Sequence, residues 1–247
     1  MSQYERHFDF EQVYNFRDLG GYDTADGRTV RWRRLFRSAE HQRMQPHEVE
    51  RLRAEVPLRT VIDFRSEAEA GDPRGVGALC TVEVTRHHFP MGNADAKFAA
   101  RSEGAWDPGY VDMLERHGQA WATAFALLGR DETYPAVFHC VTGKDRTGVF
   151  AALLLDALGV DEATILEDFA LSQVAMDTLV ARLRARGVIR PDEAPNPALG
   201  VPRPAMAEML AALRERHGGA RAFLRAQGVN DAIFDAVAAQ LLEERRR

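Results

Sequence analysis

The chain has 247 residues, 45% of them apolar, which is enough for a sizeable core and excludes disorder or a collagen-like repeat as a global description. That length fits one large domain or two small ones, and with no internal repeat visible residues 1–247 read as a single domain. Acidic residues outnumber basic ones, 37 to 32, for a net charge of -5, which argues against a general nucleic-acid or anionic-membrane binder but not against a local basic pocket.

Two cysteines cannot build a disulfide framework, so a reducing compartment is expected. The start, MSQYERHFDF, carries Glu5 and Asp9 and has no apolar core, unlike a secretory signal. The longest apolar stretch, Val149 to Val160, is interrupted by Asp156 and falls short of the roughly 18–20 residues of a membrane span. The expectation is a cytoplasmic protein without stable membrane insertion, with unconventional secretion left open. The basic residues are almost all arginine; Lys97 and Lys144 are the lysines, so each is a position to inspect.

In chain order, Asp26-Gly27 predicts a hairpin turn between a segment ending near Tyr22 and a strand over 29–36. Pro46 opens a helix, and 58–64 (LRTVIDF) reads as a buried strand. A strand is predicted over 81–89. An amphipathic helix follows over 108–128, with Tyr110, Met113, Leu114, Trp121, Phe125 and Leu128 on a core-facing stripe. Residues 135–139 form a short apolar strand, then comes a loop with two glycines and a helix over 149–158. A long helix is expected over 161–186, capped by Asp161 and stopped by Gly187. The proline-rich stretch 190–204 is a loop, and 161–205 could form a lid over a site. Helices near 204–217, 219–227 and 230–244 close the chain, ahead of a solvated Glu-Glu-Arg-Arg-Arg tail. Strands alternating with helices predict an α/β fold with a mainly parallel sheet flanked by helices.

The strongest chemical signal is HCVTGKDRTG, residues 139–148, in which Cys140 and Arg146 are separated by five residues. The same spacing joins Cys80 and Arg86, but CTVEVTR alternates β-branched residues and should be extended, which would set its ends roughly 20 Å apart. Cys80 therefore reads as structural; a protective disulfide with an oxidised Cys140 is a further reading that needs proximity. The Cys140 copy lies between an apolar strand and an apolar helix and holds Gly143 and Gly148. Such a loop can curl so that the backbone N–H groups of Val141, Thr142, Gly143, Lys144, Asp145 and Arg146 converge at a helix N-terminus, an anion cradle for phosphate or another oxyanion. A free cysteine is mostly protonated at neutral pH, whereas a helix N-terminus and a guanidinium favour the thiolate. Arg146 offers a planar fork that matches two phosphate oxygens. Thr147 can donate a hydrogen bond to the sulfur and ease its departure. These parts support attack by sulfur on phosphorus, a cysteinyl phosphate, and hydrolysis by water, with no metal and no cofactor.

A nucleotide-type phosphate loop fails here, because Phe138 stands where its first glycine belongs and Asp145 follows Lys144 in place of Ser or Thr. A rhodanese-like sulfurtransferase does not require Gly-Lys-Asp-Arg-Thr-Gly. Zinc binding lacks any CxxC pair.

HCVTGKDRTG, with NFRDLGGY at 15–22, FRS at 36–38, VIDFRS at 61–66 and GGARAFLRAQG at 218–228, resembles the bacterial protein-tyrosine phosphatase family of the mycobacterial phosphatase B and lipid-phosphatase type. The resemblance implies a cysteine-dependent phosphatase fold with extra helices after the catalytic loop. It also implies activity on phosphotyrosine, with relatives that accept phosphoserine, phosphothreonine or phosphoinositides. Substrates would then be phosphotyrosine-containing proteins or, alternatively, phosphoinositides. A module that reads phosphate without turnover is the alternative from another class, and mere binding would need no nucleophile.

The general acid has three candidates. Asp145 sits in the cradle, where like charge from a bound phosphate favours its protonated form. Members of the resembled family lack a mobile acid loop and use an aspartate at this place. Asp63 ends a buried-type strand, the end at which ligands gather in α/β folds. Asp107, in Trp106-Asp107-Pro108, reads better as a helix cap than as the acid of a scrambled Trp-Pro-Asp loop. Lys144 is read either as a rim contact to a second phosphate or as a solvated lysine. Arg17 and Asp18 are expected as a buried pair holding the Gly20-Gly21 turn, or as pocket wall. Arg37 and Arg65 pair with acids or face substrate, and His139 steadies the backbone around Cys140 or carries protons.

Overall fold

Apolar residues alternate along the central strands, and the alternation sorts them to two sides of one sheet. A computed structural model describes residues 4–72, 77–92 and 108–245, so Lys97 and Asp107 lie outside the described residues. The main sheet is ordered β1-β3-β6-β4-β5, from β1 (Arg17–Asp18), β3 (Leu35–Ser38), β6 (Ala136–His139), β4 (Thr60–Asp63) and β5 (Thr85–His88). Only β1 runs antiparallel; β3, β6, β4 and β5 are parallel neighbours. On one face Phe36, Val61 and Val137 meet Phe8, Phe10, Phe16 and α1 (Pro46–Glu55). On the other Leu35, Ile62 and Phe138 meet the larger cluster that contains Trp121, Phe150 and Phe223. The mainly parallel α/β architecture expected from sequence is present.

The large face is covered by α3 (Tyr110–Arg116), α4 (Gly118–Leu127), α5 (Asp145–Ala157), α6 (Glu162–Ala170), α8 (Arg203–His217), α9 (Ala220–Ala226) and α10 (Asp231–Leu241). The helix predicted over 108–128 is broken at His117, next to Gly118, whose missing side chain lets Gln227 approach. The helix over 161–186 is likewise two, α6 and α7 (Ser172–Ala185), meeting at Leu171. Its predicted ends hold: Asp161 accepts from the Thr164 N–H, and Gly187 takes φ +71°.

Several element boundaries are corrected. The turn at Asp26-Gly27 forms, but 29–36 divides into β2 (Arg28–Val30) and β3, and β2 pairs with β7 (Leu242–Glu244), a stretch expected as the end of the last helix and the start of a solvated tail; that helix stops at Leu241. Thr81–Phe89 narrows to β5, and Cys80 lies in a 3-10 turn, Gly77–Thr81, rather than in an extended run. Arg86 sits on β5 and donates to the Leu79 carbonyl. The helix after the glycine loop begins at Asp145, earlier than expected, which brings the end of the Cys140 motif into its first turn. None of the described helices is long and apolar enough to cross a membrane.

Candidate active site

β6 is buried along its whole length, and Cys140 follows it at the carboxyl edge of the sheet. Its neighbours set where the loop starts: the Phe64 N–H after β4 donates to the His139 carbonyl, and the Glu40 N–H after β3 donates to the Val141 carbonyl. Gly143 then takes φ +67°, and a Cβ there would lie 2.4 Å from the Ser38 carbonyl oxygen, so the turn admits only glycine. The chain enters α5 at Asp145, with Arg146 and Thr147 in its first turn.

The outer side of the loop is held by its carbonyls. Asn15 Nδ2 donates to the Gly143 carbonyl at 2.9 Å and the Thr142 carbonyl at 3.4 Å, and Arg37 Nη2 donates to the Gly143 carbonyl at 2.9 Å. Arg37 in turn meets Asp168 of α6 at 2.6 Å, and Arg17 meets the same carboxylate at 3.0 Å. Tyr22 also donates to Asp168. All three charged side chains are fully buried. Burial opposes the Asp168 charge, but Arg17 and Arg37 outweigh it and hold the carboxyl well below the usual range. Burial and the neighbouring Arg17 lower Arg37 to about 10, which leaves it charged at neutral pH.

With carbonyls turned out, amides turn in. Among the described residues no acceptor meets the backbone N–H of Val141, Thr142, Gly143, Asp145 or Arg146. Two side-chain donors are buried without a partner at the same place, Arg146 Nε and Thr147 Oγ1. Buried donors without acceptors are costly, and a cluster of them is the mark of a site for an anion. Arg146 is aimed by Glu69, on the short helix α2 (Glu67–Ala70): Nη1 meets Oε2 at 2.5 Å and Nη2 meets Oε1 at 3.0 Å. The Met91 and Phe64 carbonyls take the remaining Nη1 contacts. Burial works against the Arg146 charge, and Glu69 and Cys140 more than restore it.

Residues 8–243 match the family described as "Tyrosine phosphatase family". The chain belongs to that family. A Cupriavidus necator protein carrying the name of a tyrosine-protein phosphatase is 32% identical over 191 residues, covering 72% of this chain and 69% of that protein. "Triple specificity protein phosphatase PtpB" of Mycobacterium tuberculosis is 28% identical, over 93% of this chain and 97% of its own length. Among solved structures, P. aeruginosa TpbA covers 76% of this chain and 96% of its own at 20% identity and a TM-score of 0.38, too distant to inform the site.

The three acid candidates of this phosphatase fare differently. Asp107 lies outside the described residues. Asp63 is clamped: Arg65 reaches it through its backbone N–H at 2.9 Å, Nε at 3.0 Å and Nη2 at 2.7 Å, and His139 Nε2 stands 3.8 Å away. Burial opposes its charge, but His139 and Arg65 prevail and keep the carboxyl ionised far below the usual range. Asp145 is partly open. Its Oδ1 accepts from Tyr110 at 2.6 Å and faces Lys144 Nζ at 3.6 Å.

Lys144 departs from both sequence readings. Its side chain is neither solvated nor on the rim: Nζ is turned to the Ala198 and Gly200 carbonyls at 2.6 and 2.8 Å, and the residue is 1% exposed. It thereby ties the proline-rich segment 190–204 to the loop. Arg17 and Asp18 are not a pair; Asp18 instead accepts from the Gly20 and Arg33 N–H groups, holding the expected turn, and burial raises its carboxyl to about 6. Arg37 and Arg65 both pair with acids. His139 Nδ1 donates to the Cys140 carbonyl and so steadies the loop; burial lowers its pKa, against the opposing pull of Asp63. The sequence reading missed Glu69, Asp168 and Asn15, and placed Tyr110 in the core alone.

Proposed function

We propose that the chain hydrolyses phosphate monoesters through a cysteinyl phosphate on Cys140, with phosphotyrosine-containing proteins as substrates. The observation that carries this reading is the ring of unpartnered donors at the Cys140 loop, with Arg146 Nε and Thr147 Oγ1 buried beside it. The phosphate dianion takes the place those donors leave. The Cys140 thiolate attacks phosphorus, the sulfur–phosphorus bond forms, and the ester P–O bond breaks. Its electron pair goes to the leaving oxygen, which takes a proton from Asp145. Water then attacks phosphorus, gives a proton to Asp145, and releases inorganic phosphate and the thiolate, which Thr147 steadies. Asp145 is the better acid than Asp63, because a carboxyl locked ionised by Arg65 has no proton to give.

A cleft of about 210 Å³ beside Val141 and Thr142 supports an aryl substrate. Tyr14, Met176, Leu179 and Leu183 form an apolar part of its wall that suits a phenyl ring, and Arg43, Arg182 and Arg186 add positive charge to the lining. The phosphoinositide alternative drew on Lys144 reaching a second phosphate, and that ammonium is occupied by backbone carbonyls. A non-catalytic phosphate reader has no use for Cys140 and Thr147. The test is hydrolysis of para-nitrophenyl phosphate: it should persist in chelator and vanish in Cys140→Ser. Turnover by Cys140→Ser would overturn the mechanism. Phosphotyrosine peptides should be cleaved faster than phosphoserine peptides or phosphoinositides in the same assay, and the reverse order would overturn the substrate assignment.

A further inference from the structure

Tyr110 enters the site from α3 with its ring buried and set edge-on to Phe169, 5.8 Å between ring centres. Packing therefore fixes where its hydroxyl points, and it points at Asp145 Oδ1, 2.6 Å away. The same oxygen faces the Lys144 ammonium at 3.6 Å, and that ammonium is itself held by the Ala198 and Gly200 carbonyls. Asp145 Oδ2 has no partner among the described residues.

A neutral carboxyl has one carbonyl oxygen and one hydroxyl oxygen. The Lys144 ammonium has no acceptor, so a hydroxyl on the oxygen that faces it would set donor against donor; that oxygen is the carbonyl one, and the Tyr110 hydroxyl, free to donate or accept, donates to it. Tyr110 cannot evade the role by ionising: burial and the Asp145 charge push its hydroxyl well above the usual range. We infer that Tyr110, assisted by Lys144, is a positioning residue that confines the Asp145 proton to Oδ2, the oxygen free to meet the leaving group. This rests on Asp145 being the general acid. In the first step the proton leaves Oδ2 for the ester oxygen as the P–O bond breaks. In the second, Oδ2 takes a proton from the attacking water.

The experiment is a mutant cycle in the full-length chain, with phenyl phosphate as the poor leaving group and para-nitrophenyl phosphate as the good one. Tyr110→Phe keeps the ring and removes only the hydroxyl. It should lower kcat on phenyl phosphate about tenfold, with KM little changed and a much smaller loss on para-nitrophenyl phosphate. In an Asp145→Asn background the same substitution should cost nothing further. Lys144→Met should show the same split at smaller size, which keeps the test open should Tyr110→Phe fold poorly. Equal losses on both substrates, or a repeated loss in the Asp145→Asn background, would mean that Tyr110 only packs and would overturn the inference. A uniform loss in the single Asp145→Asn variant would instead overturn the acid assignment itself, a result visible without Tyr110.

Discussion

The cradle has two walls built on different terms. The back wall is buried charge: Arg17 and Arg37 share Asp168, and Arg37 and Asn15 grip the Gly143 and Thr142 carbonyls. The front is half open, with Asp145 25% exposed and Glu69 26% exposed at their side chains. The back wall turns amides inward and has no reason to move. On the function proposed above the front meets substrate and exchanges protons, and Asp145 there is oriented by Tyr110 and Lys144 alone among the described residues. A buried ion pair is expensive to assemble and more expensive to break singly. On that reading rigidity is concentrated where the proposed chemistry needs a fixed bowl, and proton transfer is left to a residue that water can reach.

Asp168→Asn should break this contrast most severely. It removes one charge and leaves Arg17 and Arg37 facing each other in the interior. The expected cost is about 3–5 kcal/mol in urea unfolding, with activity falling even in the folded fraction as the Gly143 carbonyl loses its grip. A loss under about 1 kcal/mol would mean that the back wall is no stiffer than the front. Glu69→Gln should do the opposite. The side chain is partly solvated, so stability should change by about 1 kcal/mol or less, while Arg146 loses half of its bidentate partner and kcat/KM falls about tenfold. Equal stability losses for the two variants would erase the distinction between the walls.

Much of this was legible in the sequence, and the parts that were not share a cause. β4, β6 and α5 follow from short apolar runs bounded by turn residues. The cradle follows from a contiguous motif in which each residue has a chemical reason to be there. The breaks at His117 and Leu171 were invisible because a single-residue interruption leaves the apolar stripe almost in register on both sides. β7 reads from sequence as helix end and tail because its partner, β2, lies at the other end of the chain. The wall residues are long-range: Arg17 and Asp168 are 151 positions apart, and Arg146 and Glu69 are 77 apart. No local pattern couples such pairs. Of the residues the sequence reading missed, Glu69 left a trace, since Ser66 and Glu69 form a capping box at the start of α2. That signal announces a helix start, not a clamp on an arginine.

Asp63 provides the finest test of the two walls, because it is an aspartate at the same sheet edge as Asp145 but built like the back wall. Asp63→Asn should leave the ratio of phenyl phosphate to para-nitrophenyl phosphate turnover unchanged, whereas Asp145→Asn should lower it. Its cost should appear in stability, about 1–3 kcal/mol at neutral pH, because Arg65 loses the carboxylate that satisfies it. The sign of the pH dependence follows from the direction of the shift. A carboxyl held below its usual value in the fold contributes stability above about pH 4 and loses it progressively as pH falls further. The gap between wild type and Asp63→Asn should therefore narrow between pH 7 and pH 3. A gap that stays constant, or a turnover ratio that collapses, would move Asp63 from the clamp to the chemistry.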